Sequence, residues 1–107
     1  MDPESAQSYE IVSTGKGVTR QVLSQNKEMM TVAFRFEAGA IGERHSHPHI
    51  QSTYVQDGHF LFYLDDEEHE LLPGDSLIIP GNTVHGCKAL KPGVLIDTFT
   101  PRREEFL

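Results

Sequence analysis

The sequence predicts an all-β domain, a sandwich or a small barrel, and three observations carry that expectation. Short runs of β-branched, aromatic and aliphatic residues recur along the chain, punctuated by glycine, proline, asparagine and aspartate. The clearest run, MMTVAFRFEAG at 29–39, puts Met30, Val32, Phe34 and Phe36 on one parity and Thr31, Ala33, Arg35 and Glu37 on the other. That is the period of a half-buried strand. No stretch shows the 3.6-residue apolar period of a helix.

Taken in order, residues 1–8 are polar and are expected to form a loose, flexible N-terminal segment. Strands are then expected at 9–13 and 19–24, separated by the GKG turn, and at 29–39, followed by AGAIG. QSTYVQ at 51–56 and HFLFYLD at 59–65 flank Asp57-Gly58, which reads as a hairpin turn. HELL at 69–72 follows DDEE, and DSLIIP at 75–80 follows Pro73-Gly74. The last two runs, VHGCKAL at 84–90 and VLIDTFT at 94–100, are separated by KPG. Many short strands between turns specify a sandwich or small barrel. With no internal repeat or linker, residues 9–107 read as a single domain.

The chain has 107 residues and 37% apolar content, low for a helical bundle but enough for one β core. A net charge of −7 argues against nucleic acid and anionic membranes as partners. It does not forbid an anionic ligand, because a local cation can override the global field. Cys87 is the single cysteine, so no intrachain disulfide forms. MDPESAQSYE lacks the apolar core of a signal peptide, and no apolar run approaches the ~20 residues of a membrane span. The expected location is the cytoplasm.

The chemistry concentrates in IGERHSHPHIQSTYVQDG at 41–58. In an extended segment, His45 and His47 point to the same side and can offer two imidazoles to one divalent metal. Gln51 has the same parity, and its amide oxygen is a candidate third donor. A second segment, GDSLIIPGNTVH at 74–85, builds turn, strand and turn before ending in His85. By themselves, such residues are more often exposed loops or polar strand faces than ligands. Their combination is what raises the metal reading.

These two segments resemble the cupin family. Gly39, His45, His47, Gln51 and Gly58 fall at the spacings of its first motif, with glutamine where glutamate is usual. Gly74, Pro80 and His85 fall at those of the second, with Asn82 where a glycine is usual. Asparagine tolerates the left-handed conformation such a turn needs. The resemblance implies a small cupin β-barrel, a double-stranded β-helix or jelly roll. It also implies one divalent transition metal held by His45, His47, Gln51 and His85. Nickel, zinc, iron, manganese and cobalt all suit imidazole and amide donors. Glutamine in place of glutamate leaves the metal's double positive charge unneutralised, which favours Lewis acidity and anion binding over oxygen activation.

The end of the chain, VLIDTFTPRREEFL, places Asp97 between Leu95 and Phe99 on one strand face. An acid there is either partly solvated or aimed into the barrel as a general acid or base. Arg103 can clamp a carboxylate through two parallel hydrogen bonds. HPHxQxxYV, followed by DxFxPxRxxF, resembles the KdgF-type cupins of pectin and alginate breakdown. Here those motifs comprise His47, Pro48, His49, Gln51, Tyr54 and Val55, then Asp97, Phe99, Pro101, Arg103 and Phe106. Ile50 departs from the acidic residue expected before the glutamine, which bears on substrate preference. The resemblance implies metal-dependent conversion of 4,5-unsaturated monouronates to linear keto forms. In that scheme Asp97 and Arg103 are catalytic, Phe99 and Arg103 bind an anionic sugar acid, and the enzyme is a homodimer. Competing readings are a metal-dependent dioxygenase, a sugar isomerase and a non-catalytic sugar- or metal-binding module, although no helix-turn-helix or basic patch accompanies it. His59 and His69 read as solvated or structural, His49 as an improbable ligand beside Pro48, and Cys87 as a buried small hydrophobe.

Overall fold

Two strands much longer than the sequence suggested organise the molecule. The computed structural model describes residues 8–107; the expected loose segment lies outside the described residues except for Ser8, which is exposed. The strands are β1 (Val12–Gly15), β2 (Val18–Gln25), β3 (Met30–Phe36), β4 (Ile41–His45), β5 (Ile50–Leu64), β6 (Glu67–Leu71), β7 (Ser76–Ile79) and β8 (His85–Thr100), followed by a 3-10 turn at Glu104–Phe106. All pair antiparallel, in an order β1-β2-β3-β8-β5-β6, with β4 added on β8 and β7 on β5. Among the described residues no helix is long and apolar enough to cross a membrane.

The register shows two layers sharing these long strands. The first half of β5, Ile50 to Val55, pairs with Thr100 to Leu95 of β8, while β7 and β3 flank that pair. The second half, Phe60 to Leu64, pairs with Ala89 to His85, flanked by β6 and β4. The partners therefore change midway along each long strand, the arrangement of a jelly roll whose sheet is not fully closed. The core lies on the inward faces, with Phe60, Phe62, Val55, Ile79 and Leu95 in one cluster and Val22, Met30, Val32 and Phe99 in another.

Several sequence expectations need correction. Asp57-Gly58 is not a hairpin turn; β5 runs through it, with register shifts against β8 from Val55 to Phe60. These bulges bend the strand from one layer to the other instead of reversing it. Likewise the runs at 84–90 and 94–100 form one strand through Lys91-Pro92-Gly93. β1 begins at Val12, three residues later than the expected start of that run. β4 was hidden because AGAIG reads as a turn.

The bend explains a glycine. Gly58 has φ +94°, and a Cβ there would stand 2.7 Å from the Gly93 Cα, where the two long strands cross. Gly39 also has positive φ, +80°, but faces open space. Gly39→Ala is expected to cost ~1 kcal/mol of backbone strain. Gly58→Ala should cost ~2–4 kcal/mol, because overpacking adds to strain. Urea midpoints of the two variants measure the difference, and equal losses would mean that the crossing is not tightly packed.

Candidate metal centre and pocket

Three histidines converge where β4, the following loop and β8 meet. His45 ends β4 and stands opposite His85, the first residue of β8. His47 lies in the connection to β5, whose path is pinned by a hydrogen bond from the Asn82 N–H to the His47 carbonyl, 2.7 Å. Asn82 has φ +63°, the left-handed conformation expected of the residue at the usual glycine position. Ring centroids are 4.4 Å apart for His45 and His85, 4.9 Å for His47 and His85, and 5.5 Å for His45 and His47. One ligand atom from each histidine lies within 4.8 Å of the others.

Main-chain carbonyls fix the tautomers. The Nδ1 of His45 is 2.8 Å from the Glu43 oxygen, that of His47 3.1 Å from the His49 oxygen, and that of His85 2.9 Å from the Thr83 oxygen. With Nδ1–H donating, the Nε2 of His45 and of His85 keeps its lone pair for a metal; the His47 Nε2 also faces the Gln51 Oε1, and ligation by His47 requires the same tautomer. The buried His85 Nε2 has no hydrogen-bond partner. Burial, with His45, His47 and Arg103 nearby, pushes His85 down to about 4. His47 is lowered by burial and by Arg103. Both rings are thus neutral near pH 7, as ligation requires. The cluster is a site for one divalent transition metal: one ring nitrogen from each histidine converges there, and the His85 Nε2 has no other partner.

Gln51 joins this cluster to a buried acid. Its Oε1 is 3.0 Å from the His47 Nε2, while its Nε2 donates to Thr53 Oγ1 at 2.9 Å and to Asp97 Oδ2 at 3.1 Å. In the Nδ1–H tautomer of His47 both atoms are acceptors, a pairing that a cation bound by both would stabilise. The amide nitrogen explains the departure from glutamate in a second way: a carboxylate here would face Asp97 and repel it. Asp97 points inward, opposite Thr53 and Val32 on neighbouring strands, and is 5% exposed. Burial raises its carboxyl to about 7, although Thr53, Arg103 and Gln51 favour the charged form.

These groups open into a cavity of about 570 Å³ lined by His45, Gln51, His85, Asp97 and Arg103. Its walls include Phe36, Phe62 and Phe99. The volume lies in the usual range for small-ligand sites. Arg103 lies over Phe99, with Cζ 5.2 Å from the ring centroid. The structure therefore brings together every residue singled out as a ligand or substrate contact. Sequence reasoning missed Lys16 and Glu43, which also line the cavity; the GKG signal for a turn says nothing about what that turn overhangs. It also missed the supporting part of His49, whose carbonyl orients His47. His59 and His69 lie away from the cluster and face Glu70 and Glu67. Cys87 is buried, and burial pushes its thiol up to about 12.

Comparison with known proteins agrees with this geometry. Residues 32–99 match the family model described as "Cupin domain". The chain is 39% identical over 95 residues to the pectin degradation protein KdgF of Dickeya dadantii, covering 87% of this chain and 86% of that protein. An RmlC-like cupin from Shewanella frigidimarina superposes with a TM-score of 0.89 at 41% identity, covering 92% of this chain and 89% of the other. KdgF from a Halomonas species does so with a TM-score of 0.89 at 36% identity, covering 92% of each chain.

Asp97 gives a stability prediction for the metal-free protein. Its folded pKa is raised, so its stability contribution is full below the ordinary carboxylate range and is lost as pH rises toward about 7. Asp97→Asn cannot ionise. The stability of the variant relative to wild type should therefore increase from pH 4 to pH 8, by on the order of 4 kcal/mol. Denaturant unfolding of both proteins across this range tests the effect. A pH-independent difference would mean that Asp97 titrates normally.

Proposed function

The chain belongs to the cupin family, in its KdgF branch, and on that premise we propose that it converts 4,5-unsaturated monouronates, released by pectin or alginate lyases, to linear keto forms. The observation that carries this reading is the meeting of three chemistries in one cavity. His45, His85, Asp97 and Arg103 line it, and His47 beside them completes a histidine triad suited to a divalent metal.

His45, His47 and His85, with Gln51 as a fourth ligand, would hold the metal, which would supply Lewis acidity toward the oxygens of the sugar. Arg103 pairs with the sugar carboxylate, and Phe99 supports the ring. The cyclic and linear forms are isomers, so their protons balance. The anomeric hydroxyl loses a proton, the bond from the anomeric carbon to the ring oxygen breaks, and a proton arrives at C4 as C5 becomes a ketone. One carboxyl can serve both transfers if both its forms are populated at the working pH. Asp97, at about 7, meets that condition. A water relays the proton where the side chain does not reach. The low charge of the Gln51 amide keeps both the metal and Asp97 in the required state. Under this reading residues 9–107 form the whole catalytic domain. The protein works in the cytoplasm as a homodimer on a free anionic sugar acid, without nucleic acid or membrane as a partner.

The test is the loss of ultraviolet absorbance of a 4,5-unsaturated monouronate. Metal-loaded protein should accelerate it, and chelation should abolish the acceleration until metal is restored. Asp97→Asn should reduce turnover by ~10²-fold or more with metal content unchanged; parallel loss of metal would make Asp97 structural. No acceleration by folded, metal-loaded protein would sink the uronate assignment, and oxygen consumption would point to dioxygenase chemistry. Gln51→Glu should retain metal yet lose at least ~10-fold in turnover, because its carboxylate meets Asp97. Full activity in that variant would show that the amide is dispensable.

A further inference from the structure

Arg103 is nearly enclosed yet poorly neutralised. Its side chain is 13% exposed, and its Nη2 donates one long hydrogen bond, 3.4 Å, to the Oε2 of Glu105, an ion-pair partner that is itself 54% exposed. The buried Arg103 Nε has no hydrogen-bond partner. What surrounds the guanidinium is aromatic: Cζ is 4.3 Å from the Phe106 centroid, closer than its 5.2 Å approach to Phe99. Phe106 comes from the terminal 3-10 turn and is itself wedged. It meets Phe34 and Phe99 edge-on, with centroids 6.1 and 5.9 Å away, and the Arg20 guanidinium of β2 stands 4.3 Å from its centroid. The segment leading into this turn is tied down by Arg102, whose Nη1 donates to the Gln25 Oε1 at 2.8 Å.

A ring face holds a cation through its quadrupole and engages none of its N–H donors. A carboxylate partner would orient the same guanidinium but would occupy the fork that binds a ligand carboxylate. From this contrast we infer that Phe106 is a positioning residue: it presents Arg103 to an anionic ligand with its Nε–H free of a protein partner, and Arg20 braces the ring from β2. The inference rests on the uronate reading for the identity of the anion, but not for the clamp itself.

Two readouts test it. In the first, the Arg103 Nε–H resonance of isotopically labelled protein reports the ring current of its aromatic neighbours, with no substrate needed. Phe106→Leu should shift that resonance toward the ordinary arginine position, and Phe106→Tyr should retain most of the displacement. In the second, turnover of the 4,5-unsaturated monouronate should show KM raised ~10-fold in Phe106→Leu, with kcat within ~2-fold and metal content unchanged. Phe106→Tyr should restore KM. Arg20→Met, which leaves the ring in place, should raise KM ~2-fold and serves if Phe106→Leu fails to fold. An unmoved resonance, an unchanged KM in Phe106→Leu, or an equal loss in Phe106→Tyr would overturn the inference. Should wild-type protein not act on the monouronate, the functional reading falls and the resonance alone decides the clamp.

Discussion

The ladder between β5 and β8 is the constraint on which the site depends. It pairs Gln51 with Phe99 and Thr53 with Asp97, and at its far end Leu64 with His85. Period two then does the rest: Gln51, Thr53, Asp97 and Phe99 all face inward because they share the parity of Val55 and Leu95. A one-residue slip would turn the acid and the amide out to solvent together with the core. The same hydrophobic side chains that hold the two layers together therefore set the register of the polar groups between them.

Within that frame Gln51 is the link. Its carbonyl oxygen faces the imidazoles, and its amide nitrogen faces Thr53 and Asp97. A side chain with both an acceptor and a donor end is needed there, since one neighbour presents a lone pair toward a cation and the other a carboxyl. Glutamate has no donor when ionised, and a histidine would not reach both partners with this geometry. The buried acid is then tuned by opposing effects, with desolvation raising it and the amide, Thr53 and Arg103 holding it back.

Much of this was legible in the sequence because its signals are local and periodic. The alternation of Met30 to Glu37 gave β3, and that of Leu95, Asp97 and Phe99 set the acid among inward-facing apolar neighbours. The histidine and glutamine spacings gave the ligand set by resemblance. What escaped depends on long-range pairing. Asp57-Gly58 has the local chemistry of a hairpin, but bulges against β8 make it a bend. Gly42 suggested a turn, yet it lets β4 close against β8: a Cβ there would stand 2.9 Å from the Cys87 Sγ. Lys16 escaped because nothing in a surface turn announces the cavity beneath it.

The charge of the cavity runs against that of the molecule. The chain carries 16 acidic residues and 9 lysines and arginines. Around the cavity the acidic excess disappears: Lys16 and Arg103 face Glu43 and Asp97, and burial keeps Asp97 partly neutral. A metal on the histidines adds two further positive charges. Aromatic walls keep the dielectric low, so each of these charges acts more strongly than it would on the exposed surface. An anionic exterior then repels polyanions, while a small acid that enters the cavity meets Lys16 and Arg103 opposed only by Glu43 and a partly neutral Asp97. The Arg103 guanidinium completes this arrangement because aromatic faces do most of the holding, and its one ion pair is long and with the half-exposed Glu105. A buried, bidentate carboxylate partner in place of the long contact to Glu105 would weaken the field that favours an anionic ligand.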